Sequence, residues 1–437
     1  MSDGAKANDG FGSRIGYILS TLGMAVGVGA MWRFPMYCAQ YGGGSFVLAF
    51  VIITLIAVIP AGWAESALGR KYKKSAVGIF GQLGGKPGTA FGYLCALTPL
   101  GLMFYYPVIM AQVLMYIGYT FAGAPYLKDS TAFYDSVNNN RVATFILVAA
   151  IILLTAFISL RGIKNGIEKV CKILLPVMFI FLIVIVIRVF TLPGIGEGIA
   201  TYVNPDISAL KHGDIWAAAA GMALFAVGLG PGYLLTYGMY LDDKADLATD
   251  FVTVNVTQLL ICVLSGFAII PAVVLFGLDP TAGKGLIFMA LPMVFSKISG
   301  GLLWFVLFML ALFFAGLSTT LSMMEIPATC IMDGFGLDRK KAIGIVTVVS
   351  ILGAIPCVWS DTFFAFFDNL IGNVFYCVTA AVVAVSLAWF VGAKKIRTEW
   401  YNPTSVIKWG SWVDILYKFI ACPAFIYFAV TAIMTLF

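Results

Sequence analysis

Gly23-Met24-Ala25-Val26-Gly27-Val28-Gly29-Ala30-Met31-Trp32-Arg33-Phe34-Pro35 is the stretch whose reading decides the fold. It lies inside an apolar run, Ile15 to Tyr41, long enough to cross a bilayer. Yet it holds three glycines, an arginine and a proline. A helix broken in hydrocarbon leaves peptide groups unpaired, at several kcal/mol for each. Such a break survives where it lines a cavity or binds something. Arg33 adds a cost of about 2.5–3.5 kcal/mol at mid-membrane unless it is partnered. The stretch therefore reads as half of a binding site. The blander reading is a glycine-rich helix packed closely on a neighbour.

Of the 437 residues, 61% are hydrophobic and 11% charged. That balance belongs to an all-α polytopic membrane protein embedded in a lipid bilayer. The apolar runs are long and continuous, not the alternating ten-residue segments of a β-barrel. The first ten residues are polar, so no cleavable signal peptide is expected. The net charge of +6 is a topology signal, and no nucleic-acid partner is expected. Cys38, Cys95, Cys171, Cys262, Cys330, Cys357, Cys377 and Cys422 are scattered singly without CxxC spacing and read as small core residues. His212 is the only histidine and sits on a polar loop, so a histidine metal site or proton relay is not expected.

Working outward, the pattern predicts eleven spans: Ile15–Tyr41, Ser45–Leu68, Phe91–Phe121, Val142–Leu160, Ile173–Phe190, Asp214–Leu241, Phe251–Leu278, Leu302–Met332, Ile343–Val358, Phe363–Val391 and Ile415–Phe437. With a cytoplasmic N-terminus, 20 Lys and Arg fall inside and 6 outside. This bias orients the chain and places Phe437 outside. One predicted inner loop is acidic (Asp242, Asp243, Asp246, Asp250), but acidic residues count little in this rule.

Segments one to five and six to ten are nearly equal in length, and the first of each is interrupted. Gly27-Val28-Gly29 has its counterpart in Gly228-Leu229-Gly230-Pro231-Gly232. Five spans per half invert the second half relative to the first. Two broken helices in corresponding positions of an inverted repeat point to the site of a secondary transporter. Half-helix N-termini favour anionic groups, and freed carbonyls hold cations. The expected organisation is a cytoplasmic tail (1–12), a first repeat (13–190), an extracellular loop (191–213), a second repeat (214–392), and a cytoplasmic loop with the eleventh helix (393–437).

The residues Ser13-Arg14-Ile15-Gly16-Tyr17, Ala25-Val26-Gly27-Val28-Gly29, Trp32-Arg33-Phe34-Pro35, Gly42-Gly43-Gly44-Ser45-Phe46, Glu65 and Gly69-Arg70 resemble the neurotransmitter:sodium symporter family. So do Gly162-Ile163-Lys164, Gly166-Ile167-Glu168-Lys169 with Pro176, and Phe313 to Thr320. The resemblance runs in register from about Gly12 to Asn373 and implies the LeuT-like 5+5 fold. The broken-helix rule used above was drawn in part from this family, so it restates the resemblance. The resemblance also implies a transporter, not an enzyme, and no nucleophile–base pair, phosphate loop or metal cluster is evident in the sequence.

Carried over residue by residue, the family implies a sodium site from the carbonyls of Gly23, Val26 and Ala315 and the hydroxyls of Ser318 and Thr319. Uncharged oxygens of this kind suit a hard cation. A second family sodium site departs from the pattern. Ala30 and Ala226 stand where side-chain oxygens would be, and Thr257 or Gln258 falls at the family's asparagine, with Asn255 nearby. The chloride site also departs, with Phe50, Met222, Gly228 and Ile261 or Cys262 at its positions. The expectation is one sodium, with the second sodium site and the chloride site absent.

The substrate pocket implied by the family is lined by Ala25, Gly27, Val28, Gly29, Leu102, Tyr106, Phe225, Ala226, Gly228, Pro231, Ser318 and Met323. Gly27 stands where amine carriers hold an aspartate, which favours a zwitterion over a simple cation. Gly228 leaves room for a bulky side chain. Arg33 and Asp368 match an outer gate with Phe225 as its lid. Asp333 matches the inner gate acid, whose usual arginine partner falls at Asn8, with Lys6 close by. Glu65 matches a brace that accepts N–H groups of the broken helices, and Gly166 to Pro176 matches a hinge of the fifth segment.

The expected function is sodium-coupled import of a small zwitterion, an amino acid with a hydrophobic or aromatic side chain, by alternating access. The alternatives are a sodium-driven carrier of an organic cation or osmolyte, and a ligand sensor without flux.

Overall fold

The computed structural model describes residues 10–278 and 286–436. Lys6, Asn8, Lys284 and Phe437, which enter the orientation and inner-gate expectations, lie outside the described residues. Helix α1 (Arg14–Ala25) starts where the Ser13 side chain accepts the Gly16 N–H at 3.0 Å. It stops at Val26, whose φ of −92° and ψ of 77° leave the helical path. The chain resumes as α2 (Gly29–Gln40), bent by 55° from α1.

Next come α3 (Gly44–Tyr72), α4 (Ala76–Phe121), α5 (Arg141–Ser159) and α6 (Ile163–Phe190). The expected sixth span folds as two short helices, α7 (Gly213–Val227) and α8 (Tyr233–Met239). Then follow α9 (Leu247–Leu275), α10 (Gly301–Phe335), α11 (Arg339–Trp359), α12 (Asp361–Tyr401) and α13 (Trp412–Met434). Among the described residues nine helices are long and apolar enough to cross a membrane, or ten with α1 and α2 as one span. A count of eleven therefore rests on treating α7 and α8 as a single span.

Three boundaries differ from the sequence expectation by ten residues or more, each for a local reason. Helix α4 begins fifteen residues before Phe91, because the Ser75 side chain caps its start by accepting the Gly78 N–H and a turn at Gly85 (φ 59°, ψ −141°) folds the chain into the long apolar part. Helix α6 begins at Ile163 instead of Ile173. Its first turns carry Lys164, Glu168, Lys169 and Lys172, which a hydropathy reading excludes. Helix α12 runs past Val391 to Tyr401 through Gly392, whose φ is +97°.

The helices pack as two groups. In one, α3 lies against α7 and α8, and α9 lies against α1 and α2; in the other, α10 and α11 pack on α4 and α5. Helix α6 touches α1, α9 and α10. Within the first group the packing is backbone to backbone. A Cβ on Gly69 would lie 2.0 Å from the Leu235 carbonyl oxygen, and one on Gly238 would lie 2.4 Å from that of Ser66. Without a hydrophobic driving force between helices in lipid, such small residues provide the close contact. The break after α1 faces α10 across the boundary between the groups, and there the functional residues gather.

Candidate functional site

At the end of α1 two hydroxyls meet two backbone carbonyls. Ser318 Oγ donates toward the oxygens of Gly23 and Ala315 at 3.1 and 2.9 Å. Thr319 Oγ1 lies 3.0 Å from each of the same two oxygens. All four residues are buried. Gly23 is required by the close approach of α1 and α10, since a Cβ there would stand 2.9 Å from Ser318 Cβ. Val26, the third expected carbonyl donor, is the residue at which α1 leaves its helical path. The cluster holds no carboxylate, so a monovalent cation taken by it brings the only charge. Its uncharged oxygens fit such an ion. The hydroxyls now hydrogen-bond to the carbonyls, and those are the bonds a cation would replace.

Beside this cluster lies a cavity of about 20 Å³, room for roughly one water. Seven residues expected in the substrate pocket line it: Ala25, Gly27, Leu102, Tyr106, Phe225, Gly228 and Met323. Thr319 lines it too, so the hydroxyl cluster and the cavity share a wall. Val28, Gly29, Ala226, Pro231 and Ser318 do not line it. Val28 stands just behind, its N–H donating to Tyr106 Oη at 2.7 Å. Gly29 backs onto the Phe225 ring, 2.5 Å from where its Cβ would be. Sequence reasoning missed three lining residues, Met24, Tyr233 and Tyr376.

Gly27 has no space for a side chain. A Cβ there would meet Tyr106 Oη at 2.7 Å and Thr319 Oγ1 at 2.9 Å. An aspartate at this position would have to displace both hydroxyls.

On one side the cavity is closed by Phe225. The Arg33 guanidinium lies 5.0 Å over its ring and reaches Asp368 Oδ1 and Oδ2 at 3.0 and 3.2 Å. Both charges are partly buried, 17% and 27% exposed, a depth at which each needs the other. Phe225 also packs on Tyr376, ring centroids 5.4 Å apart.

On the opposite side lie contacts of which sequence reasoning named only Asp333. Glu325, fully buried on α10, takes a two-point ion pair from Arg339 at 3.0 and 2.6 Å and a hydrogen bond from Tyr240 Oη at 2.6 Å. Phe11 packs edge-on against Tyr17, Tyr237 and Tyr240. Glu168 accepts from the Gly12 N–H, Ser13 Oγ and Lys172 Nζ at 2.6, 3.0 and 2.6 Å. Arg14 pairs with Asp250 at 2.6 Å and Asp246 at 3.5 Å. Burial pushes the Asp246 carboxyl up, but hydrogen bonds from Thr249 and the Val406 amide, with Arg14 nearby, hold it below the usual carboxylate range. Asp333, the expected gate acid, accepts the Ser75 N–H at 2.6 Å. A signal for Glu325 was present in the sequence: a carboxylate inside an apolar span demands a partner.

Glu65 reaches one broken helix. Its Oε1 accepts the Gly230 N–H at 2.9 Å, and its Oε2 has no hydrogen-bond partner among the described residues. Gly166 lies in the first turns of α6, where a Cβ would stand 2.2 Å from the Ile158 carbonyl oxygen. Helix α6 continues unbroken through Pro176.

At the positions of the second family sodium site, the Ala30 carbonyl accepts Ser265 Oγ at 2.7 Å. Asn255 and Gln258 donate within α9, to the Phe251 carbonyl and Cys262 Sγ. Their side-chain carbonyl oxygens are buried without partners among the described residues. Phe50, Met222, Ile261 and Cys262 are buried, and Phe50 packs on Phe34 and Phe46.

The profile of the sodium:neurotransmitter symporter family matches residues 8–138 and 126–437. The chain is 32% identical over 446 residues to an uncharacterized sodium-dependent transporter of Haemophilus influenzae, covering 96% of each. It is 30% identical over 413 residues to the uncharacterized sodium-dependent transporter YhdH of Bacillus subtilis, covering 91% of each. Among solved structures, MhsT in complex with L-phenylalanine superposes with a TM-score of 0.87 at 29% identity, covering 97% of this chain and 100% of that one.

Proposed function

The chain belongs to the sodium:neurotransmitter symporter family, and from that premise we propose that it imports a hydrophobic or aromatic amino acid together with one sodium ion. Membership makes it a sodium-dependent multi-pass transporter and not an enzyme. The observation that carries the finer reading is the shared wall at Thr319. An uncharged oxygen cluster that suits sodium there adjoins a cavity enclosed by apolar and phenolic side chains. The phenylalanine held by MhsT, whose structure is similar over nearly the whole chain, supports an amino acid with a large apolar side chain.

Sodium entering between Gly23, Val26, Ala315, Ser318 and Thr319 takes over carbonyls now held by the two hydroxyls. This ties the end of α1 to α10 and favours the outward-open arrangement. The substrate carboxylate binds near the Val28 and Gly29 amides and the Tyr106 hydroxyl. Its amine meets the carbonyls of Ala25, Phe225 and Ala226. Phe225 must swing to admit it, because the closed cavity is too small. The lid then returns under the Arg33–Asp368 pair. Release to the inside requires α6 to loosen between Gly166 and Pro176 and the contacts around Glu325, Asp333 and Arg14 to part. Each step shifts the equilibrium only by the ligand's difference in affinity between the two states. No chloride is required in this scheme, because apolar side chains fill the corresponding positions.

The test is a thermal-shift screen of amino acids, amines and osmolytes against the purified chain in sodium and in potassium. An amino acid that stabilises only in sodium is the expected result, with a Hill slope of one in a sodium titration. Equal stabilisation in potassium overturns sodium coupling. A slope of two that falls to one in Gln258→Leu replaces the one-sodium reading and assigns the second ion to α9.

A further inference from the structure

Two cavity tyrosines are unused by the scheme above. Tyr233 begins α8, just past the glycine-rich break, and Tyr376 lies on α12 beneath the Phe225 ring. Their side chains are only 2% and 3% exposed, and both line the cavity. Among the described residues neither hydroxyl has a hydrogen-bond partner. The third cavity tyrosine, Tyr106, is already engaged by the Val28 N–H. The partnerless hydroxyls of Tyr116, Tyr401 and Tyr417 are a different case, sealed in packing away from this cavity. The remaining wall near Tyr233 and Tyr376 is apolar, from Met24, Leu102, Phe225 and Met323.

A buried polar group normally finds a partner, and leaving one unmade is unfavourable. Two tyrosines that line one ligand cavity, without a protein hydrogen bond and not sealed in packing, point to a ligand that supplies the partner. Tyr233 sits on the side where Gly228 makes room, its Cβ 3.4 Å from where a Gly228 Cβ would be. That is the side left for the substrate's side chain. We infer that Tyr233 and Tyr376 form a polar subsite for the tip of that side chain. The substrate is then an amino acid whose large side chain ends in a hydrogen-bonding group, such as a phenol hydroxyl or indole N–H. A phenol both donates and accepts, so one tyrosine can donate to a tip hydroxyl while the other accepts from it. No charged residue lines the cavity, which disfavours acidic and basic tips. A pocket built this way discriminates strongly, because an analogue without the polar tip leaves its own groups unpaired.

The inference rests on the zwitterion reading, and matched pairs separate the two. Sodium-dependent binding to the full chain is measured for tyrosine against phenylalanine, tyramine against phenethylamine, and 4-hydroxyphenylacetate against phenylacetate. Tyrosine is expected to bind about tenfold more tightly than phenylalanine. Tyr233→Phe and Tyr376→Phe each shrink that ratio, and the double variant brings it to about one. Tyr417→Phe, remote from the cavity, leaves the ratio alone. A ratio of one or less in the unaltered chain, or a preference that survives the double variant, overturns the subsite. If only the amine or the acid pair binds, the zwitterion reading falls, and the same hydroxyl-dependent ratio within that pair still decides the subsite. If no aromatic pair binds at millimolar concentration in sodium, the subsite falls, while the sodium–potassium screen decides coupling separately.

Discussion

The two broken helices occupy corresponding places in the repeat but are held open by different means. The break after α1 has no residue at positive φ. It is kept open from outside, by Tyr106 on α4 and by Ser318 and Thr319 on α10, across the boundary between the helix groups. The break after α7 is written into its backbone. Gly228, Gly230 and Gly232 have φ of +74°, +102° and +88°, and Glu65, from the helix packed beside it, holds the Gly230 N–H. One break is thus a fixed bend and the other is a contact that a ligand can remake. In the proposed scheme ion and substrate act on the second kind, because its hydrogen bonds to Tyr106, Ser318 and Thr319 can be exchanged while the φ values of the glycines cannot.

The comparison breaks most severely at Gly230. Gly230→Ala puts a Cβ 2.3 Å from Ala380 Cα at a φ that costs ~1–3 kcal/mol for any other residue, before the clash is counted. No monodisperse protein is expected on size-exclusion chromatography. The equivalent stress on the first break should be tolerated structurally yet weaken ligand binding. Tyr106→Phe removes the acceptor of the Val28 N–H at a cost of about 1–3 kcal/mol. Equilibrium binding should then show a roughly ten- to hundredfold weaker substrate Kd with the protein still folded. If both variants simply unfold, the two breaks do not differ as described.

Ser318→Ala with Thr319→Val removes two oxygens proposed for sodium and leaves the Gly23 and Ala315 carbonyls without these partners, so melting in potassium should fall modestly with the protein still folded. The sodium concentration for half-maximal uptake should rise about tenfold or more, equivalent to ~1.4 kcal/mol. Unchanged sodium dependence would detach the first break from the ion. The smallest effect is expected at Arg33→Lys, which keeps the charge over Phe225 but loses the two-point grip on Asp368. Substrate dissociation measured by dilution should quicken a few-fold with little change in sodium dependence.

Much of this was legible in the sequence because clustered glycines and a charge are costly in hydrocarbon unless they serve a break, a close helix contact or a partner. Gly27-Val28-Gly29, the glycines around Pro231, and Arg33 marked the site before any contact was known. Helix starts were less legible where polar residues cap or extend a span, as at Ala76 and Ile163. Tyr233, Tyr376 and Met24 were invisible because tyrosine and methionine in an apolar run look like packing. Only the fold brings Tyr376 of α12 against Phe225 of α7. Glu325 is the instructive case. It stood inside a predicted span, and its burial demanded a cation that Arg339 supplies fourteen residues on.

The contact of Gly69 and Gly238 with backbone, described above as packing, also works as a mechanical joint. With no side chain between them, α3 and α8 cannot slide or repack without a clash, so they travel as one beam. Helix α1, attached by hydroxyls that can exchange partners, has play. The molecule therefore has one welded joint and one latch, and the latch is the place proposed for sodium.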